Sequence, residues 1–205
     1  MTSYKDFIHD FPGRCGEVLE LADGPAQAKG FEVTLLIMTA AAAFVVPFER
    51  LSTSKYKREH PSKDAQTFFE HAQELTDALG QPFLGSPFFG DDPASWCEGK
   101  IETLGKASVG EPLTKETTSD EVLSIIRNAL AHGNLFPIPI GASRAAQMTA
   151  IEFYSEDRDG DGKRIGYKFV RVSPRDFRCF LVKWLQFLKE KDILKEKEEK
   201  EEKDI

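Results

Sequence analysis

Between Val33 and Val46 the chain runs for 14 residues with only Thr34 and Thr39 polar. The run is too short to cross a bilayer, which takes about 20 apolar residues, and too long for a strand of ordinary length. It reads as a buried helix that begins near Gly30, with Pro47 kinking or resetting it before Phe48-Glu49-Arg50-Leu51. Ala40 to Ala43 form a strip on which another helix can approach closely. A buried helix needs partners, and helical periodicity supplies them. Phe7, Ile8, Phe11, Val18, Leu19 and Leu21 predict a helix from Tyr4 to about Leu21, broken by Pro12-Gly13 and followed by a loop at Ala22 to Pro25. Pro61-Ser62 opens another, with Phe68, Phe69, Ala72, Leu75, Ala78 and Leu79 at helical spacing and Gly80 beyond its end. A further helix is capped by Ser119 or Asp120 and ends at Gly133.

The period then changes. Ala150 to Tyr154 and Ile165 to Val172 read as strands joined by the polar turn Glu156 to Arg164, a β-hairpin. Ser173-Pro174-Arg175-Asp176 starts the last helix, with Ser at N-cap, Pro at N1 and Asp at N3. Its stripe is Phe177, Phe180, Leu181, Trp184, Leu185 and Leu188. Gln81 to about Thr117 is turn-rich, but Phe83, Phe88, Phe89 and Trp96 mark it as a loop packed on the body. The expected fold is mostly α, a single domain over residues 1–190 with a β-hairpin at about 149–173 before the C-terminal helix. Residues 191–205 continue that helix as a charged, fraying tail.

Three cysteines, Cys15, Cys97 and Cys179, with no Cys-x-x-Cys, point to neither a disulfide framework nor a zinc site. The N-terminus lacks a signal peptide's apolar core, so a cytoplasmic, non-membrane protein is expected. The net charge of −7 argues against general coating of nucleic acid. The charge is uneven, however. Lys163 to Lys183 carries seven basic residues against Asp176 alone, and a smaller basic run comprises Arg50, Lys55, Lys57, Arg58 and Lys63.

Asp157-Arg158-Asp159-Gly160-Asp161-Gly162 alternates carboxylates as a calcium loop does. Position twelve of such a loop, which needs a bidentate Glu, is Lys168, and Asp and Gly are equally the residues of a hairpin turn. The plain turn is the expected reading, with a weak cation site as the alternative. His9, His60 and His71 have no metal-ligand spacing, and no phosphate-binding glycine loop or nucleophile turn occurs. No metal and no cofactor are expected.

One helix is different in kind. Val122, Ile125, Ile126, Ala129 and Leu130 form its buried side, while Ser124, Asn128 and His132 fall at i, i+4 and i+8 with Arg127 beside them. A merely solvated face normally carries Lys and Glu. Histidine can take and give a proton near neutrality, arginine's planar fork holds a phosphate, and asparagine can orient either. Together they suit RNA cleavage by attack of a 2′-OH on the adjacent phosphate. The competing reading is structural, with Arg127 paired to an acid such as Glu49 and His132 capping the helix C-terminus.

Arg127-Asn128-Ala129-Leu130-Ala131-His132 resembles the Arg-x(4–6)-His motif of HEPN domains, including the polar residue after the Arg. The long apolar helix ending Pro47-Phe48-Glu49-Arg50-Leu51 and the closing Ser173-Pro174-Arg175-Asp176-Phe177 helix are similar to the plasmid-associated pEK499 subgroup. The resemblance implies an antiparallel helical bundle that is commonly a homodimer. It implies a metal-independent endoribonuclease of toxin–antitoxin or defence type, with RNA as substrate, 2′,3′-cyclic phosphate products and a possible antitoxin partner. Arg127 and His132 would be catalytic with Asn128 in support, and Ser124 and Asn134 are substrate-binding candidates. The alternative is a catalytically silent HEPN-fold module that dimerises and binds a protein or nucleotide.

Overall fold

A computed structural model describes residues 7–51, 77–89, 95–104, 109–139 and 148–203, with side chains at 7–10, 45–51, 139 and 189–203 excepted. The expected helix after Pro61-Ser62, with His60 and His71, lies outside these residues apart from a helical turn at 77–80. So does most of the smaller basic run. The described chain divides into two compact units, 1–77 with 181–205, and 78–180, the division falling inside the last helix.

The first unit is helical. Helix α1 spans Phe7–Ala28 and α2 spans Glu32–Leu51. The break expected at Pro12-Gly13 and the loop expected at Ala22 to Pro25 are both helical. Each proline removes one backbone donor. Flanking burial of Cys15, Leu19 and Ala26, and a hydrogen bond from Gln27 Nε2 to Asp23 Oδ2 (2.9 Å), hold the turns together. The chain turns later, at Gly30, whose φ of 68° is open to glycine at no steric cost. Phe31 N–H donates to Ala26 O (2.8 Å) and Gly30 N–H to Gln27 O (3.1 Å), the paired bonds of a Schellman cap. Helix α2 likewise continues across Pro47 to Leu51 rather than resetting. Its small residues serve as expected. Ala40 and Ala43 are fully buried, Trp184 stacks on Phe44 at 4.9 Å, and the Trp184 indole donates to Ala43 O at 3.1 Å.

The second unit is built on a five-stranded antiparallel sheet. The strands are β1 Cys97–Ile101, β2 Glu111–Pro112, β3 Leu135–Pro139, β4 Met148–Arg158 and β5 Arg164–Val172, in the order β2-β1-β5-β4-β3. Helix α3, Ser119–His132, packs on β4 and β5, and α4, Pro174–Lys203, follows β5. The expected hairpin is present, but as the centre of a larger sheet, so the unit is α/β in content rather than helical. β1 escapes periodicity because Gly99 sits in its middle. A Cβ there would stand 2.7 Å from the Phe169 ring, so the strand carries no side chain at its tightest point. β3 escapes because it holds Pro137 and Pro139, which an edge strand tolerates and which discourage further pairing.

Aromatic side chains fill the core of this unit. Phe83, Phe88, Trp96, Phe153, Phe177 and Phe180 are fully buried or nearly so, and Phe83, Phe88, Trp96 and Phe177 all lie within about 6.3 Å of Phe180 by ring centroid. The segment from Gln81 is thus packed where its phenylalanines indicated. α4 opens as its sequence dictates: Asp176 N–H donates to Ser173 Oγ (3.1 Å), and Ser173 Oγ–H to Asp176 Oδ2 (2.6 Å). The Asp159 carboxylate accepts from the N–H groups of Asp161 and Lys163, so the hairpin loop is an Asx-type turn. No helix among the described residues is long and apolar enough to cross a membrane.

Candidate active site

Helix α3 owes its position to both ends and one face. Its N-cap is Thr118, one residue before the expected Ser119 or Asp120. Thr118 N–H donates to the Glu121 carboxylate (2.9 Å) while Glu121 N–H donates to Thr118 Oγ1 (3.3 Å), a capping box that neither later residue can form. Ser119 is instead fully buried. At the other end Gly133 takes φ 70°, and Asn134 N–H donates to Ala129 O (2.9 Å). Val122, Leu123, Ile125, Ile126, Ala129 and Leu130 are buried, and each of the five larger side chains is worth about 1.5–3 kcal/mol relative to exposure. They seat the helix on the sheet.

That seating turns the polar stripe toward β4. Arg127 Nη1 donates to Asn128 Oδ1 (2.5 Å), and Asn128 Nδ2 donates to Ser155 Oγ (3.0 Å). Arg127 and Asn128 are half-buried and Ser155 is buried. His132 is the last helical residue and is exposed, with no hydrogen bond or ion pair to its ring among the described residues. Arg127 and His132 are five residues apart, about 140° of turn and roughly 7.5 Å of rise, so one helix does not stack them. The structure therefore joins Arg127 to Asn128 and leaves His132 apart from them, at the solvent end. His132 is not itself the cap, because Gly133 supplies it.

Ser124 and Asn134 part company. Ser124 lines a cleft of about 490 Å³ with Ile125, Ser155 and Lys168, rimmed by Glu98, Asp120, Glu121 and Glu156. Asn134 acts through its backbone, its carbonyl accepting from Tyr154 N–H (3.0 Å) and stitching the helix end to β4. Ser155 was outside the sequence-derived set because the strand was expected to end at Tyr154. The available signal was an inward position on β4, following Ile151 and Phe153, occupied by a hydroxyl.

The basic stretch behaves differently from its local sum. Arg171 pairs with buried Glu152 through Nε (2.7 Å) and Nη2, Arg164 with Glu156 (3.5 Å), and Lys168 with Asp157 (3.7 Å). Cross-strand register explains it. Arg171 stands opposite Glu152 and Lys168 opposite Ser155, so β4 carboxylates meet β5 cations on adjoining positions. Over β5, the local excess of basic residues between Lys163 and Lys183 is thus met by carboxylates of β4. Lys100 also donates to Asp157 (3.0 Å). That bond, joined by Lys168, holds the Asp157 carboxyl below its ordinary range against the opposing effect of burial. Among the described residues no cluster of His, Cys, Asp and Glu is arranged to hold a metal ion.

A protein-family model described as HEPN pEK499 p136 matches residues 1–195. Comparison with curated proteins and with solved structures returns no match.

Proposed function

Because the chain belongs to the HEPN pEK499 p136 family, we propose that it is a metal-independent endoribonuclease of toxin or defence type. In this reading His132 of one protomer takes the proton of a 2′-OH, whose oxygen attacks the adjacent phosphorus. Arg127 balances the charge that gathers on the non-bridging oxygens. The bond from phosphorus to the 5′-oxygen breaks, and a second imidazole returns a proton to that leaving oxygen. The products are a 2′,3′-cyclic phosphate and a 5′-OH.

The observation that carries this reading is the hydrogen-bonded chain Arg127–Asn128–Ser155. It orients a guanidinium on the same helix that ends in an exposed imidazole. Two imidazoles and two guanidiniums gather around one phosphate only if two α3 helices meet across a two-fold axis, so the active species is a homodimer. Residues 1–190 act as one functional domain of a cytoplasmic protein, with an antitoxin protein as a candidate regulator.

A silent binding module is the second reading, and one observation favours it. The β5 cations are matched by β4 carboxylates, and the cleft beside Ser124 is lined by four acids against two lysines, Lys100 and Lys168, each already paired with Asp157. An RNA phosphate finds little attraction there. Purified protein incubated with mixed RNA in EDTA separates the two, beside Arg127→Ala and His132→Ala variants checked for folding by circular dichroism. Cleavage by wild type that each substitution reduces by about 10²-fold or more supports the enzyme. No cleavage, or cleavage indifferent to both substitutions, supports the module.

A further inference from the structure

We propose that Ser155, on strand β4, is a positioning residue for Arg127, acting through Asn128; the proposal rests on the ribonuclease reading. A guanidinium has donors only, so it must face the oxygen of the Asn128 amide. That choice turns the amide nitrogen, a donor, toward the sheet, where it needs an acceptor. Ser155 Oγ provides it at 3.0 Å. The amide is then fixed in one orientation by a group at each end, and the guanidinium is aimed by the amide.

The strand is a suitable anchor. β4 is an inner strand, with Phe153 opposite Val170 on β5 and Leu135 on β3, and all but Leu135 fully buried. One residue before Ser155, Tyr154 N–H donates to Asn134 O. The helix is thereby tied to β4 at Asn128 by a side chain and at Asn134 by the backbone. These two ties bracket the stretch from Ala129 to His132, with Arg127 one residue before the first of them, and fix the rotation of the helix and its height above the sheet. Ser155 also faces the cleft that Ser124 lines, so its hydroxyl stands where the sheet meets the reactive helix. Alanine at 155 removes the acceptor while leaving the packing of Phe153 and Val170 intact.

The test is a double-mutant cycle on RNA cleavage under single-turnover and steady-state conditions, with S155A, S155T, N128A and S155A/N128A. Ser155→Ala should lower kcat about tenfold with KM changed less than about twofold, since aim rather than binding is lost. In the N128A background the same substitution should add less than about a twofold loss, because its only route to Arg127 is gone. Ser155→Thr, which keeps the hydroxyl, should retain activity within about threefold. A loss of equal size in both backgrounds, or wild-type kcat in S155A, overturns the proposal. Side-chain ¹⁵N resonances give a reading independent of cleavage. Ser155→Ala should shift both the Asn128 amide and the Arg127 Nε–Hε signals. A shift of Asn128 alone rejects the relay while leaving the ribonuclease untouched. Shifts of both in a protein that cuts no RNA reject the ribonuclease reading and keep the relay.

Discussion

At the scale of single residues, the proposed chemistry centres where the polar stripe of α3 meets the sheet. Asn128→Asp places a carboxylate against Arg127 in place of a neutral oxygen. The new carboxylate competes with phosphate for the guanidinium, so kcat/KM should fall by at least tenfold while thermal stability is unchanged or raised. Steady-state kinetics and a melting curve check both halves. Asp157 makes a pH-dependent contribution away from the site. Its carboxyl titrates lower folded than unfolded, through Lys100 first and Lys168 second. Its stabilisation is therefore fully present above the ordinary aspartate range and lost as pH falls through the lowered folded value. Urea denaturation midpoints taken from pH 6 to pH 2 should decline less steeply in Asp157→Asn than in wild type at the acid end. Parallel curves would show the Lys100 contact to be inconsequential. Of the five site residues read from the sequence, Arg127 and Asn128 are joined, Ser124 faces the cleft, His132 stands in solvent, and Asn134 acts by its backbone. Side-chain type and helical spacing alone leave Arg127 and Asn128 open to a structural reading, and it is the resemblance to the HEPN motif that singles them out. The one local signal at Ser155 is a hydroxyl at an inward position of the Ile151–Phe153 alternation, and what that hydroxyl anchors lies 27 positions away, beyond any local rule.

At the scale of elements, what was legible followed local rules. The Ser173-Pro174-Arg175-Asp176 start, the apolar face of α3 and the Gly133 stop all follow from residues within one turn of each other. The elements missed are those whose reasons lie elsewhere in the chain. β1 exists because β5 supplies a hydrogen-bonding edge, and Gly99 is required because Phe169 fills its side-chain space. The helix also continues through Pro25 and Pro47, where a local breaker predicts an end. Gly99→Ala should accordingly cost about 1–3 kcal/mol, read as a lowered urea midpoint, whereas alanine at exposed Gly160, which has no atom within 4 Å of its added Cβ, should cost little. Thr118→Ala should remove the capping box and cost about 1 kcal/mol. Because α3 carries the motif, that variant should also lose activity faster than wild type on warming.

At the scale of the whole molecule, the acidic balance has acquired a location. A net charge of −7 remains, and the β5 cations Arg164, Lys168 and Arg171 are engaged with carboxylates of β4. If the ribonuclease reading holds, RNA affinity should depend weakly on salt, with a log–log slope reflecting about one or two phosphates near α3 rather than a coated backbone. The two-fold arrangement makes a stronger demand. Mixing Arg127→Ala and His132→Ala chains should give activity that depends on subunit exchange, and a strictly monomeric yet active protein would contradict the dimeric site. The most direct test of the central claim is the mass of the cleavage products. Attack by the 2′-OH adds no water, so the two fragments of a defined oligonucleotide cut in EDTA should sum to the mass of the intact strand, the upstream piece ending in a 2′,3′-cyclic phosphate. Fragments that together gain one water at the moment of cleavage and end in 3′-OH and 5′-phosphate, or an oligonucleotide left whole, would contradict it.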